Sequence, residues 1–281
     1  MKRLIYSLVI LSISLFACNI STTVTPPVVT SPPVVTEPPV VTVPPVVTEP
    51  PIITNNVPCH ELSLYLDPAL ASSYNCQTIP ESAGGIAQYP AYTELTLEGY
   101  TLADKFFPPT ISVFSIPHYE ELLPGFTSGA VPPLQALISG ATPGDSVPFG
   151  SSLPFLLTFE AGQVFHAQYQ VLPFASGSGI RYLTQFAQNY ALIDNHDMIY
   201  TYQGLTSDGQ YWVAVILPVT NPILPENGDT YPGGETFDQF VNNYDTYIAD
   251  MVAQLNSQAP GNYAPTLTML DTLVSSITIQ P

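Results

Sequence analysis

Three side chains that can bind a metal ion occur in one short loop sequence, Asp194-Asn195-His196-Asp197. Carboxylates combined with an imidazole suit several divalent ions. The same residue types are common in turns, because Asp and Asn side chains hydrogen-bond to nearby backbone amides. We interpret the loop as a turn between two strands, and predict no metal site and no cofactor.

Arg181 is the next residue whose type points to chemistry. It and Lys105 are the only lysine or arginine residues from 57 to 281, against twenty Asp and Glu. In such acidic surroundings we expect Arg181 to have a carboxylate partner. A partly buried structural ion pair is the favoured interpretation, and recognition of a ligand carboxylate or glycan by the planar guanidinium group is the alternative.

The alternative role depends on the register of a predicted hairpin. If the chain turns about Ala175-Ser176, Gln170 lies opposite Arg181, and Gln168 and His166 share the same face of the sheet. A slip of one residue would separate this set. His166, Gln168 and Arg181 are therefore the predicted candidates for ligand-facing residues.

Motifs of the common catalytic centres are absent from the sequence. There is no H-E-x-x-H zinc helix, G-x-S-x-G nucleophile elbow, Walker loop or G-x-G-x-x-G fingerprint. Glu120 and Glu121 are adjacent on a predicted helix, so their carboxylates point apart and do not suit general acid/base catalysis. The segment from Glu226 to Asp229 lacks the ligand spacing of a calcium-binding hand. We predict no catalytic residue.

The first residues have the pattern of a bacterial secretion signal. Lys2 and Arg3 precede an apolar run from Leu4 to Phe16, and Ala17 is followed by Cys18. The run is short for the roughly 20 residues of a membrane-spanning helix. Residues 1–17 resemble a lipoprotein signal peptide, which implies that Cys18 is lipidated and becomes the N-terminus. The expected location is the extracytoplasmic face of the cell membrane, with the protein held there by its lipid anchor.

Residues 18–56 form a linker built on a tandem repeat, Pro-Pro-Val-Val-Thr-x, whose copies begin at Pro26, Pro32, Pro38, Pro44 and Pro50. Doubled prolines at this density exclude helix and interior strand and favour polyproline II. The repeat predicts a stalk, with a tether of undefined length as the alternative.

Residues 57–281 suffice for a single extracytoplasmic domain with a substantial core. Its acidic composition excludes nucleic-acid binding, which needs a positive surface. Cys59 and Cys76 are the cysteines in this part. Because disulfides persist outside the cytoplasm, we predict that they are bonded; two free buried thiols are the alternative.

The centre of the domain, Gln163 to Val219, predicts four consecutive antiparallel strands. Phe165, Ala167, Tyr169 and Val171 alternate with polar residues, which is typical of a strand with one buried face. Asp208-Gly209 suits a tight hairpin turn. The run from Trp212 to Leu217 is apolar at every position, so its strand is expected in the sheet interior.

Helices are predicted on both sides of these strands. Two short ones precede them, with Pro117 near the first turn of one and the other from Pro133 to Ser139. A long helix follows, with an apolar stripe at helical spacing and a capping box between Thr236 and Gln239. The stripe consists of Phe237, Phe240, Val241, Tyr244, Tyr247, Ile248, Met251, Val252 and Leu255.

The fold class that follows is α+β, an antiparallel sheet with helices packed on its faces. The closing segment Leu270-Asp271-Thr272-Leu273-Val274-Ser275-Ser276-Ile277, a helix leading into a last strand, resembles the ending of PsbP-like bacterial lipoproteins. The order of elements from 59 to 280 agrees with that family. The resemblance implies a PsbP-like sandwich and a non-catalytic binding or accessory role.

The function predicted from the sequence is that of a membrane-tethered, non-enzymatic module with a protein or glycan ligand. A secreted hydrolase with an unrecognised active site is the main alternative. A solute-binding lipoprotein comes third, because two α/β lobes and a hinge are not visible in the sequence.

Overall fold

The computed structural model describes residues 56–84, 87–144, 152–158 and 160–280. The predicted signal peptide, Cys18 and the linker up to residue 55 lie outside the described residues. None of the described helices combines the length and apolar character needed to span a membrane.

Seven strands form one antiparallel sheet in the order β3-β4-β5-β11-β10-β8-β7. The α+β class predicted from the sequence is confirmed. The strands of the described residues are β1 (Asn56–Cys59), β2 (Leu62–Tyr65), β3 (Ser73–Ile79), β4 (Tyr92–Glu98), β5 (Thr110–Ser115), β6 (Gly162–Gln163), β7 (Ala167–Phe174), β8 (Gly177–Thr184), β9 (Phe186–Ala187), β10 (Ile199–Thr206), β11 (Tyr211–Pro218) and β12 (Thr278–Ile279).

The predicted central strands are neighbours in this sheet. β7, β8, β10 and β11 pair in succession, and β11 lies in the interior between β10 and β5. Gly209 has a φ of 69° in the turn between β10 and β11, as expected for the glycine of a hairpin turn, whereas Asp208 does not have a positive φ. Interior placement accounts for the apolar residues at every position of β11, since both of its faces are covered.

A β-bulge in β7 interrupts the predicted alternation of buried and polar residues. Gln170 lies opposite Arg181 as predicted, but the register shifts between Ala167 and Gln170, where Gln168 has a φ of 53°. Ala167 therefore packs in one core and Tyr169 in the other. The prediction that these residues share one face is wrong, because a bulge adds a residue and reverses the faces that follow.

The glycine-rich residues Gly177 to Gly179 begin strand β8. The turn is Ala175-Ser176, since Phe174 pairs with Gly177. A Cβ on Gly179 would lie 2.4 Å from the carbonyl oxygen of Gln203 and 2.6 Å from the ring of Tyr202. Glycine is needed here because the neighbouring strand and the tyrosine ring approach the backbone closely.

Helices pack on both faces of the sheet and enclose two cores. The first core includes residues of α4 and α5, and the second includes residues of α1 and α2 together with Leu153 and Leu156. The helices of the described residues are α1 (Ile116–Leu122), α2 (Phe126–Ile138), α3 (Phe237–Asn242), α4 (Tyr244–Ser257) and α5 (Leu267–Ser275).

The predicted long helix is present but is interrupted at Asn243, between α3 and α4. Its predicted capping box between Thr236 and Gln239 is confirmed. Phe240, Ile248 and others of the stripe are buried, whereas Phe237 is 45% exposed. The stripe is thus a core face, as predicted, except at its first residue.

Helix α2 begins seven residues before the predicted start at Pro133. The carboxylate of Glu120 accepts hydrogen bonds from the backbone amides of Gly125 (2.8 Å) and Thr127 (2.7 Å). These contacts satisfy amides at the start of α2 that have no partner within the helix.

A separate three-stranded sheet of order β1-β2-β12 brings the last strand beside the first ones. Cys59 of β1 and Cys76 of β3 form a disulfide with a Cα–Cα distance of 5.5 Å. The bond connects this small sheet to the seven-stranded one.

Candidate functional site

A cavity of about 490 Å³ lies between the loop that joins β9 to β10 and the segment that precedes α3. Its walls combine carboxylates, an imidazole, amides and partly exposed aromatic rings. The side chains with polar or aromatic groups are Gln185, Asn189, Tyr190, Asp194, His196, Asp197, Asn227, Asp229, Tyr231 and Phe237. A further cavity of about 290 Å³, lined by Val57, Leu66 and Ala71 among others, contains no carboxylate or imidazole.

Asp194 organises the loop on one wall of the cavity. Its Oδ1 accepts hydrogen bonds from the backbone amides of His196 (3.0 Å) and Asp197 (2.9 Å), which is the turn predicted for this sequence. The residue is only 4% exposed. Burial raises the pKa of the Asp194 carboxyl group, and this effect outweighs the lowering by the two backbone donors.

His196 and Asp197 form the accessible part of the same loop. His196 Nδ1 lies 2.5 Å from Asp197 Oδ1, and the two side chains are 45% and 30% exposed. With Asp194, each offers one ligand atom, and the three atoms lie within 4.8 Å of one another. Such a group can hold a divalent cation or hydrogen-bond the hydroxyl groups of an organic ligand.

Aromatic rings also line the cavity. Tyr190 is 40% exposed, and its ring meets the ring of buried Tyr244 edge to face, with centroids 4.9 Å apart. Tyr231 stacks on buried Phe240 at 4.8 Å. The exposed ring of Phe237 lies 6.1 Å from Tyr231. Packing against an aromatic layer of α3 and α4 therefore fixes rings that face the solvent.

The loop that carries Tyr190 and Asp194 is anchored to helix α4 by two tyrosine hydroxyl groups. Tyr244 Oη accepts from the backbone amide of Ala191 (3.2 Å) and donates to its carbonyl (3.0 Å). Tyr247 Oη accepts from the amide of Ile193 (2.9 Å). Burial raises the pKa of Tyr247 to about 12, so the hydroxyl stays protonated. The cavity wall is thus preformed.

The side chain of Gln185 fixes the same loop from the opposite side. Its Nε2 donates to the carbonyl of Leu192 (2.7 Å), and its Oε1 accepts from the amide of Asp194 (3.2 Å). Both hydrogen bonds are buried, so the position of Asp194 is set by the sheet and not by a ligand.

The structure places the predicted ligand-facing set elsewhere. Arg181 is 3% exposed and lies between the sheet and α5, where Nε and Nη2 lie 3.1 and 3.2 Å from the carboxylate oxygens of Asp271. Nη2 also donates to Gln170 Oε1 (2.8 Å), and Nη1 donates to the carbonyl of Gln168. The carboxylate partner predicted for Arg181 is confirmed, in its structural form.

His166 and Gln168 do not form a binding surface with Arg181. His166 is 7% exposed, and the side-chain amide of Gln168 donates to the carbonyls of Leu255 (2.8 Å) and Gln258 (3.0 Å) at the end of α4. The expectation that the three residues face a ligand is therefore corrected. The bulge at Gln168 directs this side chain to a helix end, whose carbonyl groups need donors.

The sequence drew attention to the loop Asp194 to Asp197 but predicted a turn and no site there, and it did not indicate the aromatic residues of the cavity. The loop Asp194 to Asp197 was marked by its residue types. Tyr190, Tyr231 and Phe237 carry no motif, and the exposure of Phe237 contradicts its place in the helix stripe. A tyrosine just before an Asp-Asn-His-Asp loop was the only signal in the sequence.

Comparison of the chain with protein-family models, with curated proteins and with solved structures found no match.

Proposed function

We propose that this protein is a lipid-anchored extracytoplasmic module that binds a neutral glycan in the cavity between Tyr190 and Asp197. The observation that carries the proposal is the pairing of solvent-facing aromatic rings with carboxylates and amides in one preformed cavity. Small-molecule sites are typically preformed clefts with a few polar groups that fix the orientation of the ligand.

A sugar ring can interact with both the aromatic and the polar groups that line the cavity. A pyranose has an apolar face of C–H groups, which can lie on the rings of Tyr190, Tyr231 or Phe237. Its hydroxyl groups donate to carboxylate oxygens and accept from amide groups. Asp197 and Asn189 line the same cavity and offer such groups.

The charge of the protein supports a neutral ligand. The formal net charge is −18 at pH 7, and Asp194, Asp197 and Asp229 all line the cavity. A polyanion would be repelled both by the cavity and by the whole molecule. A glycan without acidic groups does not experience this repulsion.

The extracytoplasmic location and the PsbP-like fold are also part of the proposal. The basic and apolar start followed by Ala17-Cys18 supports export and lipidation, and the Pro-Pro-Val-Val-Thr repeat supports a spacer between membrane and domain. A sheet with helices on both faces, ending in α5 and β12, supports a PsbP-like sandwich, a family of mostly non-catalytic modules.

The test is calorimetric titration of the full chain with cellohexaose, maltohexaose and chitohexaose, with polygalacturonate as the anionic comparison. We expect one of the neutral sugars to bind, and Tyr190→Ala and Phe237→Ala to weaken its binding by roughly tenfold each, since aromatic anchors commonly dominate a binding site. Ile223→Ala is the control, because Ile223 is 38% exposed and does not line the cavity. Equal binding by wild type and both aromatic variants would refute the proposal.

A hydrolase is the second candidate, favoured by one observation. The carboxyl group of Asp194, whose pKa is raised by burial, has an oxygen within 4.8 Å of one of Asp197, and a pair of neighbouring carboxyl groups is the usual catalytic arrangement in glycoside hydrolysis. Release of reducing ends from a bound hexasaccharide, lost in Asp197→Asn, would establish this activity. If the sugar is bound but recovered intact, the protein binds the glycan without hydrolysing it.

A further inference from the structure

Exposed aromatic rings concentrate on one part of the described surface. The exposed large apolar side chains of the described residues are Phe106 (64%), Phe237 (45%), Tyr190 (40%) and Ile223 (38%). Tyr190 and Phe237 line the cavity proposed for the glycan, whereas Phe106 does not. Single exposed apolar residues are common, but a group of them in one region often marks a binding site.

Phe106 lies directly beside this cavity, next to His196 in its wall. The centroids of the two rings are 6.3 Å apart, in an edge-to-face arrangement. The backbone amide of Phe106 also donates to the carbonyl group of His196 (3.0 Å). His196 lines the cavity, and its side chain is 45% exposed. The exposed surface of Phe106 therefore continues the surface of the cavity on the side of His196.

The loop that carries Phe106, between β4 and β5, is held in place by its neighbours in sequence. The side chain of Lys105 is only 8% exposed, and its Nζ lies 2.7 Å from Glu226 Oε1. Glu226 directly precedes Asn227, which lines the cavity. The ring of Phe107 meets that of Phe106 edge to face, with centroids 4.8 Å apart. A ring fixed in this way loses little conformational entropy when a ligand binds to it.

The ring of Phe106 has surface left for a ligand. Its contacts with Phe107 and His196 are both of the edge type, with interplanar angles of 78° and 65°. Neither of these rings lies flat on it, which agrees with the 64% exposure of the residue. The apolar C–H face of a sugar can lie on such a ring, as proposed for the rings inside the cavity.

We propose that Phe106 forms a second sugar-binding subsite, so that the protein binds a neutral glycan chain that extends from the cavity past His196 to this ring. The inference rests on the proposed glycan binding and adds the length of ligand that the site recognises. A glycan suits this position better than a protein partner, because the ring continues a surface of carboxylates, amides and an imidazole and not an apolar patch.

Two subsites that are joined by one chain increase the affinity for long ligands. Once a sugar unit occupies the cavity, the following units of the same chain are held near Phe106 at a high effective concentration. The second contact therefore does not include the cost of association again. A sugar too short to reach Phe106 lacks this gain, so affinity should rise at the chain length that reaches the ring.

The test is calorimetric titration of the full chain with oligosaccharides of two to six units from the cellulose, amylose and chitin series. In the series that binds, we expect affinity to rise by roughly tenfold from the shortest to the longest member, as for one aromatic anchor. Phe106→Ala should abolish this rise, and Phe106→Trp should restore it. Phe237→Ala is the matched comparison. It should weaken binding at every length and keep the rise, because Phe237 lines the cavity itself.

The outcomes distinguish the subsite from the proposed function. Sugar binding whose rise with chain length is absent in wild type, or is equal in Phe106→Ala and wild type, would overturn the subsite alone. Absence of binding by every sugar would refute the proposed function and the subsite with it. Ultracentrifugation tests a different occupant: self-association that is lost in Phe106→Ala would assign the ring to a second copy of the chain and overturn the proposal. If Phe106→Ala melts below wild type, Phe106→Gln replaces it, since it also lacks the ring.

Discussion

Arg181 and Asp271 form an ion pair that connects β8 to α5. The side chain of Arg181 is 4% exposed and that of Asp271 22%, and the hydroxyl group of Tyr200 also donates to Asp271 Oδ1 (2.9 Å). Arg181→Met would leave this carboxylate without a cation in a largely buried position. We expect the free energy of unfolding to fall by about 3 kcal/mol, measured as a loss of roughly 2–4 °C of melting temperature per kcal/mol.

Lys105→Met is the matched control for that experiment, because it removes the other lysine or arginine of residues 57–281. Its partner Glu226 is exposed, so the cost should stay below about 1 kcal/mol. A melting temperature of Arg181→Met equal to that of wild type would contradict a structural role for the pair.

The raised pKa of Asp194 predicts a dependence of stability on pH. Burial raises the pKa in the folded protein above the ordinary value of 3.8, so the unfolded chain loses this proton at a lower pH than the folded one. Ionisation therefore reduces stability as the pH rises from below 3.8 through the raised pKa. Asp194→Asn keeps an oxygen for the two backbone amides and cannot ionise. It should melt above wild type at pH 7, with the difference vanishing near pH 3.

Asp208 supplies a control of opposite sign. The hydroxyl group of Thr206 and the backbone amide of Gln210 lower the pKa of its carboxyl group, so its contribution to stability is present above the ordinary pKa and is lost as the pH falls. Asp208→Asn should melt below wild type at pH 7. If both variants shift in the same direction, the explanation from pKa is wrong.

At the scale of single residues, the sequence predicted that Arg181 has an acidic partner, but it did not predict which residue that partner is. An acidic partner for Arg181 followed from the scarcity of cations, but Asp271 is 90 residues away and no local pattern identifies it. The turn at Asp194 was predictable, because an Asx turn involves only neighbouring residues. Tyr231 and Phe237 reach the same cavity through the tertiary fold alone.

At the scale of elements, helix α4 is the clearest case of a predicted core face. Ile248 is fully buried among residues of the first core. Ile248→Ala should lower the free energy of unfolding by about 3 kcal/mol, since it removes apolar contacts and leaves a cavity. The expected loss of melting temperature is roughly 6–12 °C for a chain of this size.

Thr246→Ala is the control within the same helix, because Thr246 is exposed. It should change the melting temperature little, since alanine favours a helix slightly more than threonine does. Unchanged melting of Ile248→Ala would place the stripe against solvent or a partner.

Elements that depend on non-local contacts were predicted less well. The bulge in β7 places Gln168 in a left-handed conformation. Glutamine rarely adopts this conformation, so the sequence does not predict the bulge. The early start of α2 depends on Glu120 of the preceding helix. In contrast, the apolar run of β11 and the glycine turn after β10 have local signals, and both were predicted.

At the scale of the whole molecule, the lipid anchor is the prediction with the largest consequence. Cys18 lies outside the described residues, and its proposed lipidation rests on the sequence before it. Cys18→Ser should remain unprocessed or be released from the membrane, as shown by palmitate labelling and fractionation of cells. Cys59→Ser is the control, because it removes the disulfide and leaves the anchor. A Cys18→Ser protein that is processed and membrane-held like wild type would contradict the prediction.

The disulfide also determines how the domain responds to a mechanical pull on the N-terminal side of the chain. Tension that enters through β1 reaches Cys59 and passes through the sulfur atoms to Cys76, so the intervening segment, residues 60–75, is bypassed. The force acts next on β3, the edge strand that is hydrogen-bonded to β4. Because a covalent bond withstands forces that separate paired strands, tension acts on the β1–β2 pairing before the disulfide and on the β3–β4 pairing after it. Reduction of the disulfide would lengthen the chain before that point.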